Sequence, residues 1–315
     1  MDQEKEAEFY ERISEKGVSR RDFIKFCTLL TASMGLPATF LPKVTEVFAA
    51  PKKRLPVVWL HFAECTGCSE AFLRSTYPWI GDLIFNILSV EYHETIMAAA
   101  GRQAEENLHD AVDRYAGEFI CVVEGAVGTK YNGAYGKIGG RTFLEIAQDV
   151  CPKAKAVICI GSCSSFGGIQ AAAPNPGGFK GVGEALGIKT INISGCPPNP
   201  INLVGTIVNF LLIGRLPELD NLGRPLFAYG KTVHDQCPRR AHFEYGEFVE
   251  RFGSEEAKMG YCLYKMGCRG PETYNNCPIA KFNDGRSWPI EAGHPCIGCS
   301  EPNFWDTMTP FYEEL

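Results

Sequence analysis

Ala156-Val157-Ile158-Cys159-Ile160-Gly161-Ser162-Cys163 packs five apolar residues into a run too short for a helix, stops at a glycine, and delivers a cysteine two residues later. A continuous apolar run of this length reads as a strand buried on both faces. The same design recurs on either side of it. Val57-Val58-Trp59-Leu60-His61 leads into Glu64-Cys65-Thr66-Gly67-Cys68, and Thr190-Ile191-Asn192-Ile193-Ser194 leads into Gly195-Cys196. Two further strand-like runs cover Ile87–Tyr92 and Phe119–Gly125, the latter again ending at a glycine. Helical patterns alternate with these runs. Ser69-Glu70 can start a helix, Ala104–Tyr115 carries Leu108, Val112 and Tyr115 on one side, Arg141–Val150 is helical, and Asn199–Leu212 follows the punctuation of Pro197-Pro198. Apolar strands alternating with amphipathic helices predict an α/β fold, a flavodoxin-like parallel sheet covered on both faces. Such sheets take ligands at the carboxyl ends of their strands, and Cys65, Cys163 and Cys196 all stand just past strand ends.

Working outward, the pattern changes at both ends. After about Arg215 turn residues and cysteines dominate, with one short helix expected over Glu247–Phe252. The chain therefore divides into a sheet domain, 51–214, and an irregular cluster-binding C-terminal domain, 215–315, in which bound metal takes the organising role of an apolar core. Residues 1–50 read as an export signal that is removed. Ser19-Arg20-Arg21-Asp22-Phe23-Ile24-Lys25 supplies the charged start, Phe26–Leu41 a modest apolar stretch broken by Thr28, Thr31, Ser33 and Gly35, and Ala49-Ala50 before Pro51 a small-residue cleavage site. The paired arginines resemble the twin-arginine signal, which exports proteins already folded. Thiols bound to metal before export escape scrambling in an oxidising compartment. Cys27 lies within this segment. No second apolar stretch reaches spanning length, so the mature chain is expected to carry no membrane anchor of its own.

The composition sets outer limits. A 315-residue chain has ample core, so its 14 cysteines are not needed as staples for a small scaffold. A formal net charge of −6 argues against nucleic acid as a main partner. The cysteine spacing reads instead as metal ligation. Thiols two residues apart can grip one centre, whereas a disulfide between them is strained. Three groups emerge. The first is Cys65, Cys68, Cys163 and Cys196. The pair Cys65/Cys68 alone could be a redox dithiol or half a zinc site, but a redox pair needs no further rim cysteines. The second is His234, Cys237, Cys262 and Cys268. The third is Cys277, Cys296 and Cys299, with His294 as a competing fourth ligand. Zinc and iron–sulfur clusters both suit such donors, and a set of three favours a three-iron cluster over a closed zinc site. Cys121 and Cys159 fall inside buried strands and read as packing, and Cys151, at a helix end before Pro152, as structural.

Glu64-Cys65-Thr66-Gly67-Cys68, Gly161-Ser162-Cys163, Gly195-Cys196-Pro197-Pro198-Asn199-Pro200, His234-Asp235-Gln236-Cys237-Pro238-Arg239-Arg240 and Gly293-His294-Pro295-Cys296-Ile297-Gly298-Cys299-Ser300-Glu301-Pro302 together resemble the small, electron-transfer subunit of periplasmic [NiFe] hydrogenases, over essentially the whole chain. The resemblance implies two [4Fe-4S] clusters and one [3Fe-4S] cluster. Cys65, Cys68, Cys163 and Cys196 match the proximal [4Fe-4S], and Cys277, Cys296 and Cys299 the medial [3Fe-4S]. His234, Cys237, Cys262 and Cys268 match the distal [4Fe-4S], its histidine facing the redox partner. Pro289 stands where a fourth cysteine makes the medial cluster [4Fe-4S]. Gly67 and Gly168 stand where oxygen-tolerant relatives add cysteines, which implies the oxygen-sensitive type. The resemblance also implies a heterodimer with a large subunit that alone holds the nickel–iron centre. It implies a periplasmic location and a c-type cytochrome as acceptor. An iron–sulfur subunit of a different exported oxidoreductase and a zinc-binding structural protein are the alternatives.

Overall fold

The computed structural model describes residues 7, 9–11, 13–14, 19–49, 54–74, 87–214, 216–283 and 285–313. The expected cleavage site at Ala50-Pro51 and the texture change at Arg215 fall on residues outside these ranges. Five parallel strands build the sheet: β1 Leu55–His61, β2 Leu88–His93, β3 Ile120–Glu124, β4 Ala156–Ile160 and β5 Ile191–Ile193. Their order across the sheet is β2-β1-β3-β4-β5, the flavodoxin-like order. All four pairings are parallel. The register aligns the strand ends: His61 pairs with Glu124, Glu124 with Ile160, and Ile160 with Ile193. One row of residues therefore marks the carboxyl edge, and every cysteine loop of the first group springs from it.

The helices around the sheet and on its outer helix are α1 Arg20–Ser33, α2 Leu41–Ala49, α3 Gly67–Leu73, α4 Arg102–Arg114, α5 Phe143–Val150, α6 Gly161–Phe166, α7 Val182–Leu186 and α8 Pro200–Ile213. Side chains alternate across a strand, and the alternation sorts the core. Val58, Leu60, Cys121, Val123, Val157 and Cys159 pack with Leu108 and Val112 of α4 and Ile146 and Val150 of α5. Val57, Trp59, Ile120, Val122, Ile158 and Ile160 face the other way, toward Leu203, Val204, Ile207 and Val208 of α8. Each such side chain contributes about 1.5–3 kcal/mol on burial. Helix α5 begins later than the sequence spacing suggests, because Thr142 and Glu145 form a reciprocal capping box that sets the first turn at Phe143.

Beyond Tyr229 the regular elements shrink to helices of four or five residues and single 3-10 turns. The short helix expected over Glu247–Phe252 is absent. Val249 N–H donates to the Cys262 carbonyl at 2.8 Å and Cys262 N–H to the Glu247 carbonyl at 3.0 Å, so this stretch is extended and paired. A helix forms instead over Glu255–Met259, capped by Ser254. The region is tied to the sheet by polar contacts. Ser194 Oγ donates to the Ser300 carbonyl at 2.8 Å, and Asn202 and Asn276 exchange amide hydrogen bonds. Buried Arg224 bonds Asp220 and Glu301, each at 2.8 Å.

Candidate metal centres

The loop between β1 and α3 is pinned from below. Glu124, the one charged residue of β3, is buried at the strand's end. Its carboxylate accepts from Cys68 N–H and Ser69 N–H, each at 3.0 Å, and from Ser69 Oγ–H at 2.6 Å. A carboxylate beneath the first turn of a helix compensates the N–H groups left unpaired there. Thr66 takes a left-handed conformation, φ 61°, to start α3 between the two cysteines. Opposite, Ser162 N–H donates to the Gly195 carbonyl at 2.9 Å and Gly195 N–H to Ser162 Oγ at 3.0 Å. This exchange holds the ends of β4 and β5 together and sets Cys163 beside Cys196. Glycine is required at Gly161, whose φ is 91°, because a Cβ there would stand 2.5 Å from Cys68 Sγ.

These contacts bring Cys65, Cys68, Cys163 and Cys196 to one rim. Charge on the thiol of Cys68 would be opposed by the Glu124 carboxylate and then by Cys163, Cys196 and Cys65, and charge on Cys163 by Cys196 and Cys65. Burial, the larger influence, raises the Cys68 thiol well above its ordinary value and Cys163 to about 12. Four cysteines gathered at one rim, whose thiolates would repel one another, form a donor set that a cation stabilises, with release of protons on binding.

Farther along, His234, Cys237, Cys262 and Cys268 line one small cavity. Burial holds the His234 imidazole below its ordinary value, with Arg240 adding to the effect, and its ring meets Phe243 edge-on at 4.7 Å. Neutral imidazole is the form that ligates metal. Cys277, Cys296 and Cys299 make the third group. Burial raises all three, and Cys277 feels both Cys299 and Cys296. Trp288 and Ile290, which flank Pro289, pack in the same apolar cluster as Cys237, Cys277 and Cys296. His294 lies elsewhere, exposed, with Phe252 at 5.7 Å and Tyr312 at 6.4 Å between ring centroids.

The groups stand in order. Cys299 of the third group feels Cys196 of the first, and Ser162 Oγ donates to the Cys299 carbonyl. Cys296 feels Cys268 of the second, and Arg269 N–H donates to the Cys296 carbonyl at 2.8 Å. The third group therefore bridges the other two. Among the described residues, the one set of three or more His, Cys, Asp or Glu ligand atoms all within 4.8 Å of one another is His61, Glu64 and Glu124.

The trio of His61, Glu64 and Glu124 is not singled out by the sequence spacing. His61 Nδ1 lies 3.3 Å from Glu64 Oε1 and 3.9 Å from Glu124, and the His61 and His93 rings stand 4.7 Å apart. The available signal is a charged residue closing an otherwise apolar strand at Glu124. Cys121, Cys151 and Cys159 are fully packed on the opposite face of the sheet.

Comparison with known proteins adds to this geometry. Residues 229–312 match the family model for the C-terminal part of the NiFe/NiFeSe hydrogenase small subunit, and residues 65–210 match that of the NADH ubiquinone oxidoreductase 20 Kd subunit. The chain is 56% identical to the periplasmic [NiFe] hydrogenase small subunit 1 of Nitratidesulfovibrio vulgaris, over 96% of each chain. The chain belongs to the [NiFe] hydrogenase small-subunit family. Another hydrogenase relative, the quinone-reactive Ni/Fe-hydrogenase small chain of Wolinella succinogenes, is 52% identical over 96% of this chain and 86% of its own. Among solved structures, the reduced, active Ni-Fe-Se hydrogenase of Desulfomicrobium baculatum superposes with a TM-score of 0.79 at 35% identity, covering 84% of this chain and all of that one. As a hydrogenase small subunit the chain is a metal-binding component of an oxidoreductase. Among its described residues no helix is long and apolar enough to cross a membrane.

Proposed function

We propose that this hydrogenase small subunit relays electrons from H2 oxidation at a large-subunit nickel–iron site to a periplasmic acceptor such as a c-type cytochrome. The observation that carries the reading is the order of the three thiol groups, with Cys299 beside Cys196 at one end and Cys296 beside Cys268 at the other. Cys65, Cys68, Cys163 and Cys196 would hold a proximal [4Fe-4S] cluster, Cys277, Cys296 and Cys299 a medial [3Fe-4S] cluster, and His234, Cys237, Cys262 and Cys268 a distal [4Fe-4S] cluster. Bound there, the clusters supply one-electron redox chemistry at potentials that ligand type, burial and hydrogen bonds to sulfur adjust. The chain's own part is to space the donors and dry the path between them. Cys65 and Cys196, exposed at the rim, mark the side where the large subunit docks. Half-buried His234 marks the exit.

The paired arginines, Arg20 and Arg21, are exposed at the start of α1, which suits recognition by the twin-arginine route before cleavage. The Cβ positions of Gly67 and Gly168 face Cys65 Sγ, at 3.1 Å, and Cys163 Sγ. Those are the positions where added cysteines would reach the proximal site, and glycine there supports the oxygen-sensitive type.

H2-dependent dye reduction by the purified heterodimer, with metal analysis, tests the proposal. About eleven iron and about twelve sulfide per small subunit, beyond the large-subunit centre, is the expected content. Zinc in place of iron, or no H2-dependent reduction, would sink it. Pro289→Cys should convert the medial cluster to [4Fe-4S] and lower its potential, read as loss of the three-iron EPR signal. An unchanged signal contradicts the medial assignment.

A further inference from the structure

Helices α1 and α2 do not hang free of the fold. Ser19 caps α1 by accepting from Asp22 N–H at 3.2 Å, and the apolar side of the helix, Phe23, Phe26, Cys27 and Leu30, is buried to between 0 and 4% exposure. Val44 and Phe48 of α2 are equally buried. Phe48 meets Phe26 and Phe23 edge-on at 5.5 and 6.0 Å. This hairpin shares one apolar cluster with Ile201, Leu203, Val204, Ile207 and Val208 of α8 and with Ala280. Every residue from Ile201 to Asn209 is buried, on the outer side of α8 as well as on the side facing the sheet. A helix buried on all sides, with its inner polar residues Asn202 and Thr206 satisfied by hydrogen bonds, needs a cover for the apolar residues on its outer side.

The seat lies beside the first cysteine group. A cavity of about 620 Å³ separates Lys25 and Phe26 of α1 from Gly67, Glu70, Pro197 and Lys281. Gly67 and Pro197 directly adjoin Cys68 and Cys196. A partner reaching the exposed thiols of Cys65 and Cys196 across this rim would meet α1 on the ground it needs.

We propose that the hairpin of residues 19–49 is a built-in cover for the outer side of α8, seated in the unassembled chain and displaced when the large subunit docks over the same face. The displacing partner rests on the function proposed above, whereas the seating of the hairpin does not. Seating hides an apolar surface that would otherwise drive self-association before assembly.

Hydrogen exchange on the uncleaved chain, alone and bound to the large subunit, tests both halves. In the isolated chain the amides of 24–33 and 44–48 should exchange at least tenfold more slowly than an unstructured peptide of the same sequence. In the heterodimer they should exchange at least tenfold faster than in the isolated chain, while α8 stays slow. Rapid exchange of the hairpin in the isolated chain overturns the seating. Slow exchange retained in the heterodimer overturns the displacement. A double substitution, Phe26→Glu with Leu30→Glu, provides a second readout. It should speed α8 exchange in the isolated chain and raise the association rate with the large subunit, and unchanged values of both would count against the cover. Failure of any form to bind the large subunit would overturn displacement together with the hydrogenase reading, and the isolated-chain arm would still decide the seating alone.

Discussion

Cysteine is buried in both halves of this molecule, in different company. In the sheet, Cys121, Cys151 and Cys159 sit among Val58, Leu60, Val123, Ile146 and Val157, a cluster large enough to hold without them. Beyond Tyr229, Cys237, Cys268, Cys277 and Cys296 are themselves part of the small cluster that packs Val233, Val249, Leu263, Met266, Trp288 and Ile290. The first region has five strands in register and long helices, whereas the second has helices of four or five residues. A parallel sheet supplies its own order and can lend its strand ends to a metal site. A region of turns depends on what its side chains bind.

The largest effect should come from removing the metal. Chelation under reducing conditions is expected to unfold residues 229–312 while the sheet keeps its protection, as read by hydrogen exchange. Simultaneous loss of both regions would erase the distinction between them. Next is the joint between the halves. Arg224→Ala leaves buried Glu301 and half-buried Asp220 without their cation, and should cost about 3 kcal/mol in denaturant unfolding. A change within experimental error would show that the joint carries no weight.

A smaller effect concerns the sheet alone. Burial lowers the His93 imidazole to about 4, and burial raises the neighbouring Glu94 carboxyl to about 7. For His93 the unfolded chain binds more protons between about pH 4 and 6.5, so its contribution to stability falls on acidification. For Glu94 the folded chain binds more protons between about pH 4.5 and 7, so its contribution rises on acidification. The two oppose each other. Glu94→Gln should lose roughly 2 kcal/mol of stability from pH 7 to pH 5 relative to the parent, and His93→Asn should gain a similar amount. Equal pH profiles for the two variants would refute the pairing. The smallest expected effect is that of Cys159→Ala, about 1 kcal/mol with every cluster signal retained. Loss of an iron signal in that variant would move Cys159 from packing to ligation.

The sheet was legible in the sequence because each of its central strands is a short apolar run that ends where a cysteine loop or glycine begins. The cysteine groups were legible because thiols two residues apart have few other uses. What local pattern could not supply was pairing at a distance. Glu247–Phe252 has helical composition, but its partner is Cys262. Glu124 lies inside a strand run that is easily recognised, yet its hydrogen bonds to Cys68 and Ser69 depend on the register between β1 and β3. The N-terminal segment has the pattern of an export signal, and nothing in that pattern reveals that its apolar side seats against α8.

Three centres in line, with Cys277, Cys296 and Cys299 in the middle, would each give an EPR signal of its own. In an EPR-monitored redox titration of the assembled heterodimer, parent against Cys277→Ser, the three-iron signal alone should be lost or altered, the other two signals should persist, and H2-dependent dye reduction should fall more than tenfold. Three unchanged signals with an unchanged rate would contradict this arrangement.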